Sequence, residues 1–288
     1  MRAIIIFSFL FFISCAGQDQ PIKEIAKLDF KEVSGIEMLP KSDIIWAIED
    51  SGNKSKIYGL DKQGKAKHTI TLEGAKNNDW EDITSDKEGN LYIGDFGNND
   101  NDRKNLAIYK IDKDSLTNSK TQVSYQVSFY YLEQKDFPPK KSELLFDVEA
   151  FVEYNGNFYL FTKNRSAKFQ GDFYVYKVPN KPGNHAAKKL ATLNSCKVYS
   201  KCAITAADIS PDGKTIALLS ADKIWLLTNF EGDNFKQENM MQYDLGHNSQ
   251  KEGLCFQDAN TLIIADEKDK KSGGYLYEVK LSDLKAKR

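Results

Sequence analysis

Five short segments of this chain repeat one pattern, and a repeated unit constrains a fold more tightly than composition does. The segments are Ser34-Gly35-Ile36, Glu81-Asp82-Ile83, Glu149-Ala150-Phe151, Ala207-Asp208-Ile209 and Glu252-Gly253-Leu254. Each leads through a polar turn, such as Asn155-Gly156-Asn157 or Pro211-Asp212-Gly213, into an apolar run. Those second runs cover 44–48, 91–93, 158–161, 216–219 and 262–264. A further turn leads to an aromatic run at 57–60, 108–111, 173–176, 224–227 and 275–279. Short alternating runs of β-branched and aromatic residues between Gly, Pro, Asn and Asp turns read as strands. A unit of three or four such strands cannot bury its faces alone, so successive units must stack.

A fourth, more polar strand follows the first four units, at 67–72, 123–129, 189–193 and 242–245. The last unit has none, whereas 22–30 is a strand without a unit. This arrangement predicts an all-β fold, a β-propeller whose ring is closed by the N-terminal strand in the last blade. Closure removes the exposed sheet edges that an open array would leave. The units start at 34, 81, 149, 207 and 252, which are 47, 68, 58 and 45 residues apart and close to blade length. The count is five four-stranded blades. The longest spacing contains an insertion, 133–145, with Pro138-Pro139, which reads as a loop. A sixth blade would have to lie there. Residues 22–288 read as one propeller domain.

Arg2 followed by the apolar stretch 3–13 fits an export signal and is too short to span a bilayer. The stretch ends in Phe12-Ile13-Ser14-Cys15, which resembles the lipobox of bacterial lipoproteins. That resemblance implies a signal peptide at 1–14, a lipidated Cys15 and a tether over 15–21. The alternative is a plain secretory signal cleaved near Ala16-Gly17. The expectation is an extracytoplasmic monomer, anchored by lipid to a bacterial membrane, the outer membrane first. With 40 basic and 41 acidic residues, the formal charge is −1, so no net field attracts nucleic acid. Cys196 and Cys202 share a polar loop and form either a small disulfide or two free thiols. Cys255 alternates within an apolar strand and reads as a small buried hydrophobe.

Propeller geometry converts sequence into position. First strands begin, and second strands end, at one face, the top. The starts bring Glu81, Asp82, Glu149, Asp208 and Glu252 together as a metal-ligand set, because carboxylates so gathered repel unless a cation offsets them. Calcium is the first choice for a ring of hard oxygen donors. The neighbouring loops add ligand-binding candidates: Asp50, Trp80, Asp95, Asn98, Asn99, Arg103, Lys163, Asn164, Arg165 and Asp266, with Phe96 beside Asp95. The plainer reading is a rim of solvated turn residues.

Of three histidines, only His247 is placed to act as a base. GxSxG, HExxH and Gly-rich phosphate motifs are absent. The pattern favours binding of a small-molecule or protein ligand over catalysis. The alternative is a metal-dependent hydrolase for a lactone or phosphoester, using the central carboxylates. Geometry separates the two. Glu81, Glu149 and Glu252 around one open point favour the hydrolase, and Lys or Arg filling that point disfavours it.

Asp79-Trp80-Glu81-Asp82-Ile83, Gly94-Asp95-Phe96-Gly97-Asn98-Asn99 with Arg103, and Phe146-Asp147-Val148-Glu149-Ala150 with Lys163-Asn164 are similar to an uncharacterised bacterial exported lipoprotein β-propeller family. Ser34-Gly35-Ile36 with Asp50-Ser51-Gly52-Asn53 fits the same family, and the likeness covers most of 30–280. It implies the fold and export and names no activity. A looser likeness runs to calcium-dependent propellers of the gluconolactonase and paraoxonase type, which place acidic and amide ligands around a central calcium. Those have six blades, and Glu81, Glu149 and Glu252 resemble their ligands in kind only.

Overall fold

The structure, a computed structural model, describes residues 20–30, 32–269 and 272–286. The expected signal peptide, Cys15 and most of the tether lie outside these residues. The described chain begins with β1 (Ile22–Lys27). It then forms an antiparallel meander of β2 (Val33–Met38), β3 (Ile45–Glu49), β4 (Lys56–Leu60) and β5 (Ala66–Glu73). A second meander holds β6 (Trp80–Ser85), β7 (Leu91–Asp95) and β8 (Leu106–Ile111). After the short β9 (Lys120–Gln122), it is completed by β10 (Tyr125–Tyr131). The third is β11 (Val148–Tyr154), β12 (Asn157–Thr162), β13 (Asp172–Pro179) and β14 (Gly183–Asn194). The fourth is β15 (Ala206–Ile209), β16 (Thr215–Leu219), β17 (Lys223–Thr228) and β18 (Met240–Asp244). The last is β19 (Lys251–Asp258), β20 (Thr261–Asp266) and β21 (Tyr275–Lys280), with β1 antiparallel along β21.

The first strands stand side by side in a circle: β2 by β6, β6 by β11, β11 by β15, β15 by β19, and β19 by β2. An apolar cluster fills the space between each neighbouring pair of meanders. Alternation decides which side chains enter. In β10, Val127, Phe129 and Tyr131 are buried while Gln126 and Tyr130 face water. Trp80, Trp225 and Phe151 are almost wholly buried, each contributing roughly 1.5–3 kcal/mol by leaving water. Two contacts were not expected from the sequence. β9 pairs in parallel with β5, and β10 with β14, stitching outer edges of neighbouring meanders together. The 133–145 insertion forms no strand. Cys196 and Cys202 are disulfide-linked around a short helix, α1 (Tyr199–Cys202), and Cys255 is a buried free thiol.

The repeated motif has a specific structural meaning. Strand pairing skips one residue at Ser34, Glu81, Glu149 and Glu252, so each is the extra residue of a β-bulge. A bulge re-aims the side chain of its unpaired residue and often sits at a functional rim. The fourth meander lacks it: Ala207 pairs regularly with Leu218. The next position binds the circle together. Asp82 accepts from the backbone N–H of Ile83 and, across the gap, of Phe151 at 3.1 Å. Asp208 does the same for Ile209 and for Phe256 at 2.6 Å.

Candidate functional site

All four bulge residues line one pocket of about 200 Å³ at the top of the circle. Asp50 and Asn99 join them from the loops after β3 and β7, and Gln250 and Glu267 from just before β19 and just after β20, at the same end of that pair. Lys163 and Arg165, from the loop after β12, complete the wall. Acids outnumber bases in this mouth, so the charge is unbalanced.

The two cations are spent on Glu149 and the neighbouring Asp147. Lys163 Nζ lies 2.8 Å from Glu149 Oε2, and Arg165 pairs with Glu149 Oε1 and, at 2.6 Å, with Asp147 Oδ2. Burial alone would raise the Glu149 carboxyl, but Lys163 and Arg165 hold it below its ordinary range. The Glu252 carboxylate makes no hydrogen bond with any described residue, and burial pushes it to about 8 despite Lys163. Glu267, which accepts from Gln250, is pushed to about 7 by burial and by Asp50.

Opposite this cluster, Asp50, Asp79 and Glu81 each offer a carboxylate oxygen within 4.8 Å of the others. Among the described residues this is the group close enough to hold one ion. Glu81 is 8% exposed and its carboxylate makes no hydrogen bond or ion pair with any described residue. Burial, then Glu149, Asp147, Asp50 and Asp79, push it well above the carboxylate range. Burial and Asp50 raise Asp79 to about 6, and burial raises Asp50. Gly97 makes the arrangement possible, since a Cβ there would overlap both the Glu81 and Asp79 carboxylates. These observations fit a hard cation: oxygen donors only, one of them a buried and unpartnered carboxylate.

The ligand set expected from sequence therefore divides. Glu81 belongs to the group. Asp82 and Asp208 do not, because both oxygens of each cap backbone N–H groups below the mouth. Glu149 is neutralised by Lys163 and Arg165, and Glu252 stands beside that pair. Asp79 was missed: it lies just before β6, and the bulge at Glu81 together with the bare Gly97 brings the two carboxylates near each other.

Several expected ligand-binding residues are structural. Trp80 and Phe96 are buried in the core, not at the mouth. Asp95 is a buried hub that accepts from Asn78, Asp79 N, Arg103 and Tyr109. Arg103 also donates to Gly97 O at 2.6 Å, so it braces the loop. Asn98 bonds Asp147, Phe146 and Arg103 N, and Asn164 ties Asp172 to Ser166. Asp266 accepts from Tyr275 N and Tyr277 Oη, both at 2.8 Å. Asp50, Asn99, Lys163 and Arg165 do reach the mouth.

Beside the mouth, and sharing Lys163, Arg165, Gln250, Glu252 and Glu267 with it, runs a groove of about 770 Å³. Tyr199, Tyr275, Tyr277 and His247 line it. His247 is no free base. Its Nδ1 lies 3.1 Å from Lys251 Nζ, and burial, then Lys251, lower its pKa. Lys251 also donates to Ala221 O, His247 O and Ser249 Oγ.

No family model matches the chain, and no curated protein matches it in sequence. Among solved structures, the PQQ-bound aldose sugar dehydrogenase of Streptomyces coelicolor superposes with a TM-score of 0.51 at 7% identity, over 90% of this chain and 97% of that one. A candidate gluconolactonase gives 0.48 at 10% identity, over 94% of each chain. The first likeness bears on the fold alone, that of β-propeller enzymes.

Proposed function

We propose that this chain is a lipid-anchored, extracytoplasmic propeller of five blades, one domain over residues 22–288, that binds a small polar ligand at its acidic top face with a divalent cation, calcium first, in the mouth. Asp50, Asp79 and Glu81 hold the cation. The adjoining groove takes the ligand, its tyrosines supplying flat apolar faces with hydroxyl tips and its carboxylates and amides the orienting hydrogen bonds. The observation that carries the reading is Glu81: a buried, unpartnered carboxylate on a bulge, within 4.8 Å of two more. When bound, the cation supplies positive charge and open coordination positions for ligand oxygens.

Binding is favoured over hydrolysis because Lys163 and Arg165 occupy the point that Glu149 would have shared with Glu81 and Glu252. With Glu149 so engaged, the three glutamates do not surround one open position. Calcium titration of thermal stability tests the reading. The wild-type midpoint rises with calcium, and the rise is lost in Glu81→Gln and Asp79→Asn. A midpoint indifferent to calcium in the wild type overturns the cation site.

A further inference from the structure

The residue before the lead position of the repeat is apolar in four meanders: Val33, Trp80, Val148 and Ala206. In the fifth it is Lys251, which is 0% exposed. A buried ammonium is costly unless its protons are answered. The turn after β16 and the segment just before β19 answer them. Lys251 Nζ donates to Ala221 O at 2.8 Å, and to His247 O and Ser249 Oγ, each at 2.9 Å. A further contact, at 3.1 Å, is with His247 Nδ1. Burial lowers the Lys251 pKa to about 8, so at neutral pH the group is still an ammonium.

The contact with the ring fixes more than a loop. An ammonium carries protons and no lone pair, so a ring nitrogen facing it cannot carry a proton of its own. His247 Nδ1 therefore holds the lone pair, and the proton of the neutral imidazole sits on Nε2. Charging the ring would set a proton on Nδ1 against the ammonium. Burial, then Lys251, lower the His247 pKa, and Asp266 and Glu24 oppose them only in part.

Nε2 meets no acceptor among the described residues and is not sealed from solvent. The nearby Asp266 is already taken by Tyr275 N and Tyr277 Oη. The Tyr277 ring lies against the imidazole, with centroids 5.1 Å apart, and limits its rotation. His247, Lys251, Tyr275 and Tyr277 all line the groove beside the mouth.

We infer that His247 is a fixed hydrogen-bond donor of the groove, its Nε2–H recognising an acceptor oxygen of the ligand, with Lys251 the positioning residue that sets the tautomer. Because the carboxylates of Glu24 and Asp266 line the same groove, that oxygen is uncharged, of the carbonyl or ether kind. The inference rests on the groove being the ligand site and takes nothing from the cation.

Long-range proton–nitrogen correlation spectra of the nitrogen-15-labelled full chain, recorded without calcium, read the tautomer directly, and His247→Gln assigns the signal. The expected result is the Nε2–H tautomer at pH 7. That proton shifts downfield and saturably with N,N-dimethylacetamide, less with acetate and not with methylammonium. In Lys251→Met the ring populates both tautomers and titrates at higher pH, a change that a lysine bracing only the backbone would not produce. An Nδ1–H tautomer in the wild type, or an unchanged tautomer and titration in Lys251→Met, overturns the positioning role. No response to dimethylacetamide, or an equal one to acetate or methylammonium, overturns the donor role. These readouts stand whether or not calcium shifts the thermal midpoint, so failure here and failure of the cation site are told apart. Should Lys251→Met fail to fold, the wild-type tautomer and the three probes still decide.

Discussion

Glu149 and Glu252 occupy equivalent bulges in one pocket, yet their charges are treated oppositely. The difference is what faces them. Two cations are bonded to Glu149, so replacing it would strand a half-buried Lys163 and leave Arg165 with Asp147 alone, and that variant reports on folding as well as on metal binding. Glu252 has no such bond and is pushed to about 8, above the unfolded value of 4.5. The folded state then binds more protons than the unfolded one between these values. Stability is fully present below pH 4.5 and is lost as pH rises toward 8. Glu252→Gln is expected to flatten that decline and to raise the thermal midpoint at pH 8 above the wild type. Parallel midpoint-against-pH curves for the two proteins would contradict the assignment of the strain to Glu252.

At the scale of strands, the bulge and the residue after it divide the work. The bulge residue faces the mouth, and the next residue packs against or bonds the neighbouring first strand. Where that residue is aspartate it supplies a carboxylate to the next strand's N–H. Where it is Gly35, the strands approach directly: a Cβ would lie 2.9 Å from both Asp82 Cα and Ile83 N. These are backbone atoms and cannot swing aside. Gly35→Ala is therefore expected to cost roughly 1–3 kcal/mol, the range for overpacking a filled contact. Urea denaturation measures it, and an unchanged midpoint would mean that the two strands can separate freely.

For the molecule as a whole, the joint between β1 and β21 matters most. Ile22 faces Val279 and Lys27 faces Tyr275, so the N-terminal strand covers the outer edge of the last meander. Deleting residues 20–30 exposes the backbone donors and acceptors of β21 and uncovers the apolar side chains around Leu28. An uncovered edge recruits another chain. The truncated protein is expected to associate or aggregate more than the intact chain, and light scattering on the two compares them. A truncated chain that stays monomeric with an unchanged midpoint would show that β1 is dispensable.

The strands were legible because each carries its period locally. Alternating Val127, Phe129 and Tyr131, or the run at 158–161, specifies a buried face without reference to anything distant. The repeat likewise told which residues occupy equivalent places. What it did not carry is register and partnership. That Glu81 is an unpaired bulge residue follows from Trp80 opposing Asp95 and Asp82 opposing Gly94, a matter of pairing between strands. Equivalence in the repeat suggested that Glu81, Glu149 and Glu252 would share one ion. The loop after β12 broke that symmetry by sending Lys163 and Arg165 to Glu149, and the absence of a side chain at Gly97 made room for Asp79 beside Glu81. Hydrophobic periodicity is short-ranged and written along the chain. The charge state of a carboxylate depends on whatever the fold brings within a few ångströms of it, and that is decided only when the circle closes.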